Sequence, residues 1–168
     1  MILLKSTQRS LQISLPHIKS QIQLMLTAAG YKDWDIGVEL TSNRRLRQLN
    51  AEYRGKDKPT DILSFPFAEV AQPGKLPAPR SEDDKNLGDI FISIPYVIHW
   101  CALNEVDIQD RLPRLYAHGI CHLLGYDHED KKDYRLMKRR EDALLKRMKA
   151  WEASLLAQPT PPASKETP

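Results

Sequence analysis

A chain of 168 residues that is 41% hydrophobic and 28% charged is long enough for one domain with a buried core. No apolar run approaches the roughly 18 residues that a membrane-spanning helix needs, and the apolar start at 2–4 is too short for a signal peptide. The two cysteines, Cys101 and Cys121, provide no disulfide framework, so a reducing compartment is expected. The net charge of +3 is modest, and its distribution along the chain is more informative.

The predicted elements are short apolar runs, typical of strands, and longer segments in which apolar residues recur every three or four positions, typical of helices. In chain order they are strands at 2–4 and 11–15, a helix from Pro16 to Gly30, a strand at 34–40, a helix capped by Thr41 or Ser42, strands at 62–65 and 87–94, a helix from Pro95, a helix capped by Asp107 or Asp110, and a helix at 129–156. We therefore expect an α+β fold with a single mixed sheet of about four strands packed with about five helices.

Residues 1–157 are expected to form one domain. Residues 69–86 contain three prolines and the acidic cluster Glu82-Asp83-Asp84 without apolar periodicity, which predicts a flexible insertion between two strands. Residues 158–168 are polar and rich in proline, which predicts a disordered tail.

Two stretches of the chain are strongly basic. Six basic and two acidic residues lie between Arg44 and Lys58, and nine basic and three acidic residues lie between Lys131 and Ala150. Most such runs are solvated helix surface. However, a basic loop at the mouth of a strand also binds phosphate well, because the arginine fork matches phosphate oxygens.

Three of the five histidines lie in one short segment that ends at His128. His118 and His122 are four residues apart, so both imidazoles lie on one face of a helix. Gly125 is placed to end that helix in a left-handed conformation, and the chain can then turn back to deliver His128. Three protein ligands with a fourth position left for water are typical of a catalytic zinc site. We therefore predict one zinc ion held by these three histidines on a largely buried central helix.

The alternative interpretation is three unrelated histidines, or a packed helix with polar tips. If the segment held only one pair of histidines at this spacing, that alternative would be favoured. The spacing is also that of the metzincin zinc peptidases, which carry Glu as a general base directly after the first histidine. Here that position is Gly119, so the peptidase base is missing. Cys121 is expected to be a buried thiol, because it points about 100° away from His122 around the helix. His99 has no partner at ligand spacing, and His17 is expected to be a surface residue at the start of its helix.

Three blocks of sequence together resemble the YbeY family. They are Tyr53–Phe67 (YRGKDKPTDILSFPF), Leu87–Ile90 (LGDI) and His118–His128 (HGICHLLGYDH). Their order and spacing match the family, and the resemblance extends from Ile2 to Leu156.

The resemblance implies a metal-dependent endoribonuclease that is specific for single strands and acts in rRNA processing, ribosome maturation and quality control. It implies His118, His122 and His128 as ligands of one Zn²⁺ ion, and Arg54 as a residue that serves RNA binding or catalysis. The implied partners are single-stranded RNA, rRNA and the small ribosomal subunit with its proteins, with no membrane and no DNA. The acidic insertion resembles eukaryotic members, which are associated with mitochondria, so a mitochondrial location is expected and a cytoplasmic one is the alternative.

Arg54 is expected to stabilise the negative charge that grows on the phosphoryl oxygens, and it is too basic to act as the general base. Asp61, Asp127 and Glu129 are candidate general bases, and the sequence does not distinguish among them. The attacking group is either water activated by the zinc or the 2′-hydroxyl of the RNA itself. Two other functions remain open: a non-catalytic ribosome-assembly factor whose zinc is structural, and a metzincin-like peptidase.

Overall fold

The computed structural model describes residues 1–157, so the tail predicted at 158–168 lies outside the described residues. The strands are β1 (Ile2–Ser6), β2 (Asp35–Thr41), β3 (Ile62–Pro66) and β4 (Asn86–Ser93). The α-helices are α1 (Leu15–Ala29), α2 (Asn43–Arg54), α3 (Ile94–Asn104), α4 (Ile108–Leu123) and α5 (Lys131–Leu156). A short 3-10 turn lies at Glu82–Asp84. The predicted α+β class is confirmed.

The four strands form one mixed sheet in the order β1-β2-β4-β3. Strand β2 runs parallel to both β1 and β4, whereas β3 is antiparallel to β4. On β4, Ile90 and Ile92 belong to the large core. Because neighbouring residues of a strand point to opposite faces, Phe91 lies on the other face of the sheet. There it packs with Leu46 and Leu49 of α2.

The helices cover the two faces of the sheet unequally. The large core joins one face to α1, α3, α4 and α5, whereas α2 packs against β3 and β4 from the other face. Helix α4 contacts both the sheet and α5, and nine of its 16 residues are buried. The expectation of a largely buried central helix is therefore confirmed. Among the helices of residues 1–157, none is both long enough and apolar enough to cross a membrane.

The prediction of a strand at 11–15 is wrong, because a side chain occupies the backbone groups that a strand would need. The Oε1 atom of Gln8 accepts from the Leu11 N–H at 3.0 Å, and the Nε2 atom of Gln8 donates to the Leu11 carbonyl at 2.8 Å. A few residues later the Ser14 side chain caps α1, which begins at Leu15. The segment is therefore a loop that leads into the helix.

The insertion predicted at 69–86 is attached to the core by hydrogen bonds in its first half. The Gly74 N–H donates to the Leu124 carbonyl at 2.8 Å, and the Tyr31 hydroxyl donates to the Gly74 carbonyl at 3.0 Å. At its other end, Asn86 already belongs to β4. The flexibility of the remaining residues stays a prediction.

Candidate metal centre

Helix α4 carries the first two histidines and ends in a glycine turn that brings in the third. The Asp107 side chain caps the start of the helix. At the other end, Gly125 has a φ of +82°, and its N–H donates to the His122 carbonyl at 2.9 Å. A left-handed glycine at this point reverses the chain. His128 therefore returns to the face of α4 that carries His118 and His122.

The three histidines form one cluster that could hold a metal ion. One ring nitrogen from each lies within 4.8 Å of the others, and the Nε2 atoms of His118 and His122 are 3.1 Å apart. Two nitrogen ligands of a tetrahedral ion with bonds of about 2.0–2.1 Å lie about 3.3 Å apart. The structure therefore brings the three predicted ligands together at a spacing that suits one ion.

His122 is in the protonation state that a metal ligand needs. Burial, together with the charges of His118 and His128, lowers the pKa of His122 to about 4. The ring is therefore neutral near pH 7, and one ring nitrogen keeps the lone pair that metal binding requires.

Glu141 of α5 orients His118 by contacting its Nδ1 atom, the ring nitrogen that does not face His122. Its Oε1 atom lies 2.7 Å from the Nδ1 atom of His118, and both side chains are more than two-thirds buried. A carboxylate on Nδ1 holds the proton there and leaves Nε2 free to face an ion. The sequence analysis did not identify this role, since it assigned Glu141 only to the predicted helix at 129–156. The signal was an acidic residue in the apolar stripe that contains Met137, Leu144 and Leu145.

Arg54 lies in the same cavity as the three histidines. The cavity has a volume of about 670 Å³ and is open to solvent, and the exposed Arg54 at the end of α2 forms part of its wall. The neighbouring Arg47 is held by Asp57 in a two-pronged ion pair with both distances at 2.7 Å. Within residues 1–157, Arg54 has no such acidic partner, so its guanidinium is available to an anion in the cavity.

The three candidate bases also line this cavity, but their oxygen atoms are engaged differently. Asp61 Oδ2 accepts from the Arg111 guanidinium at 3.1 Å. Asp127 Oδ1 accepts from the His128 N–H at 2.7 Å. Glu129 is exposed and has no hydrogen-bond partner within residues 1–157.

Gly119 and Cys121 point away from the metal cluster into the core. A Cβ atom at Gly119 would lie 2.6 Å from Ile90 Cδ1, so this position faces the sheet and leaves no room for a glutamate aimed at the histidines. Cys121 is fully buried, and burial raises the pKa of its thiol to about 12. The expectation of a buried thiol is confirmed, and the peptidase interpretation loses its general base.

Comparison with known proteins identifies the family. The family model described as Endoribonuclease YbeY matches residues 3–149. The human protein Endoribonuclease YbeY is 36% identical over 144 residues, which cover 86% of this chain and 86% of that protein. The protein of the same name from Sulfurihydrogenibium sp. is 36% identical over 137 residues, which cover 81% of this chain and 84% of that protein.

A solved structure shares the fold. The solution structure of TM1509 from Thermotoga maritima superimposes with a TM-score of 0.63 at 23% identity, and the match covers 98% of this chain and 100% of that chain. Together with the two relatives, the family match confirms the resemblance found in the three sequence blocks. The chain therefore belongs to the YbeY family of metal-dependent endoribonucleases, a family known for rRNA maturation.

Proposed function

We propose that this chain is a zinc-dependent endoribonuclease that cleaves single-stranded RNA, with ribosomal RNA precursors as its substrate. The observation that carries the proposal is the shared cavity of about 670 Å³, in which three imidazoles and the guanidinium of Arg54 face the same open space. A cation in the same cavity as a cluster of candidate metal ligands suits a substrate whose reacting group is an anion, as the phosphodiester group is.

Zinc is the ion that best fits the donor atoms. All three ligands are imidazole nitrogens, which suit zinc and disfavour magnesium and calcium, whose ligands are oxygens. Three protein ligands also leave a coordination position open, as in catalytic sites. When bound, the ion would supply a Lewis acid at the phosphoryl oxygens and would lower the pKa of water.

The residues of the chain would divide the remaining work. Arg54 would bind the phosphate and stabilise the charge that develops on its oxygens. Glu141 would keep His118 in the tautomer that presents Nε2 to the ion. Of the three acids in the cavity, Asp61 is held by Arg111 and Asp127 by the N–H of His128. Glu129 is therefore the acid of the three with both oxygens free of a hydrogen-bond partner within residues 1–157, which makes it our first choice for the group that accepts a proton.

The proposal extends to partners and compartment. An endoribonuclease that acts on rRNA would meet its substrate on the small ribosomal subunit, so we expect contacts with proteins of that subunit. The resemblance of the insertion to eukaryotic members supports a mitochondrial location. Fractionation of cells that express the tagged full-length chain tests this, and recovery only in the cytoplasmic fraction would exclude the mitochondrial location.

The first experiment measures cleavage directly. Metal-stripped protein is incubated with end-labelled single-stranded RNA, with and without one equivalent of zinc. His122→Ala is the test variant, and His99→Ala is its matched control because His99 is exposed on α3 and lies outside the cluster. Cleavage that requires zinc, disappears in His122→Ala and persists in His99→Ala supports the proposal. RNA binding without cleavage would instead favour a non-catalytic assembly factor whose metal is structural.

A further inference from the structure

A second cavity lies on the other side of His118 and His128 from Arg54. Its volume is about 320 Å³, and helices α4 and α5 form its walls. Asp61, His118 and His128 line both this cavity and the one that contains Arg54. A chain molecule that crosses the metal centre from the Arg54 side would therefore enter the second cavity next.

Part of the wall of this cavity is the planar guanidinium group of Arg111, which is held in a fixed position. The Arg111 guanidinium carbon lies 4.0 Å from the centre of the Trp100 ring, and Arg111 Nη2 lies 3.1 Å from Asp61 Oδ2. Stacking on one side and an ion pair on the other hold the group in place. Because Asp61 balances its charge, Arg111 shapes the cavity more than it adds net charge.

Arg114 also lines this cavity. It lies one helical turn before His118, so both side chains occupy the same face of α4. The acidic neighbours are already engaged: Asp61 pairs with Arg111, Glu141 pairs with His118, and Asp142 pairs with Lys138. Within residues 1–157, Arg114 has no ion-pair partner, and it is exposed. An anion that enters the cavity would find this guanidinium unoccupied.

The opposite wall offers an aromatic ring. Tyr134 and Lys138 are one turn apart on α5, and both line the cavity. Tyr134 is 55% exposed. An exposed aromatic ring that lines the same cavity as the unpaired Arg114 guanidinium provides the two contacts that single-stranded nucleic acid uses, a ring for a base and a cation for a phosphate.

We propose that this second cavity binds the nucleotide next to the scissile phosphodiester bond, with Arg114 on its phosphate and Tyr134 stacked on its base. The inference rests on the proposed function, because it assumes that RNA crosses the metal centre. A volume of about 320 Å³ lies at the lower end of the range for small-ligand pockets and suits one nucleotide. RNA is thereby held on both sides of the metal, by Arg54 on one side and by Arg114 and Tyr134 on the other.

The test measures binding, which does not depend on cleavage. Fluorescence anisotropy is recorded with the zinc-loaded full-length chain and a labelled 2′-O-methyl single strand, whose integrity is checked on a gel. Arg114→Gln is compared with Arg139→Gln, a matched control because Arg139 is exposed on α5 and does not line the cavity. We expect Arg114→Gln to weaken binding and to reduce the slope of log K against log salt by about 0.7, the value for one lost phosphate contact on a single strand. Arg139→Gln should leave the slope unchanged.

Tyr134 provides a second, independent readout. Tyr134→Ala should weaken binding by about fivefold or more, as expected for one lost base stack, whereas Tyr134→Phe should retain it because the ring remains. Equal salt slopes for Arg114→Gln and Arg139→Gln, or equal affinities for Tyr134→Ala and the parent protein, would overturn the inference. Both substituted residues are exposed, so an unchanged melting temperature and zinc content would show that the fold is intact.

The two proposals can fail separately. If the parent protein shows no zinc-dependent cleavage but Arg114→Gln still lowers the salt slope, the endoribonuclease proposal fails, and the second cavity stands as an RNA-binding site without a scissile bond beside it. If cleavage is zinc-dependent and Arg114→Gln binds RNA as the parent protein does, the subsite is wrong and the proposed function stands.

Discussion

The Nδ1 atom of His118 and the Oε1 atom of Glu141 lie 2.7 Å apart, and this contact connects the face of α4 that carries His118 and His122 to the middle of α5. Both side chains are partly buried, so the carboxylate is shielded from water and acts on the imidazole at short range. The long α5 helix therefore does more than cover the core, because it contacts a candidate metal ligand and sets its orientation.

Replacement of Glu141 by Gln should weaken zinc binding by about 10- to 100-fold, the usual effect of removing a carboxylate behind a histidine ligand. Competition with a chromophoric chelator measures the affinity. Asp142→Asn is the control, because Asp142 is the next residue on α5 and is more exposed. Equal zinc affinities for the two variants would show that Glu141 does not orient His118.

The metal cluster could be predicted from sequence because its geometry is local. Four-residue spacing puts His118 and His122 on one helical face whatever surrounds the helix. Gly125 is a helix-ending signal that requires no knowledge of the rest of the fold. The third histidine of the cluster follows three residues later, so a single turn is enough to bring His128 to the other two.

The remaining parts of the site depend on packing between distant segments. Glu141 is 23 residues from His118 and reaches it only because α5 packs on α4. Arg54 reaches the cavity only through the placement of α2, and it was identified by family resemblance. The failed strand at 11–15 has a related cause, since its apolar pattern could not reveal that Gln8 would occupy the backbone of Leu11.

Replacement of Arg54 by Ala should lower the cleavage rate by roughly 100- to 1000-fold, the range seen when a donor to a developing negative charge is removed. Zinc content should not change, because Arg54 is not a ligand. Arg44→Ala is the matched control, since Arg44 is an exposed basic residue of α2 that does not line the metal cavity. Loss of zinc along with activity would mean that Arg54 is structural.

Replacement of Gly125 by Ala should destabilise the fold and disturb the third ligand. The φ of +82° is strained for an alanine, and its Cβ would lie 2.5 Å from the Val70 Cβ. Gly30→Ala isolates the effect of the backbone conformation, because Gly30 has a φ of +90° and a Cβ added there would meet nothing within 4 Å. We expect Gly30→Ala to cost about 1–2 kcal/mol in the free energy of unfolding, and Gly125→Ala to cost about 1–3 kcal/mol more.

Urea unfolding measures the free energy of unfolding of both variants, and chelator competition measures their zinc affinity. Only Gly125→Ala should lose zinc affinity, because its turn carries His128. Equal stability losses in the two variants would show that the chain around Val70 shifts to accommodate the added methyl group and does not constrain the turn.

The stability of the metal-free protein should depend on His122 between pH 4 and 6.5. Burial, with the charges of His118 and His128, lowers the folded-state pKa of His122 to about 4, whereas an unfolded histidine titrates near 6.5. In this interval the unfolded chain binds more protons at this residue than the folded chain does. The stabilisation is therefore fully present above pH 6.5 and is lost as the pH falls toward 4, with a slope of at most about 1.4 kcal/mol per pH unit.

Urea unfolding of the zinc-stripped protein across this pH range measures the slope. Carboxylates also titrate near the acidic end, so the informative quantity is the difference between the parent protein and His122→Gln. The variant should have a shallower slope, since it removes the group whose folded and unfolded pKa values differ. His99→Gln, at an exposed position on α3, should follow the parent protein. Identical slopes for the parent protein and His122→Gln would mean that His122 takes up its proton as readily in the folded chain as in the unfolded one.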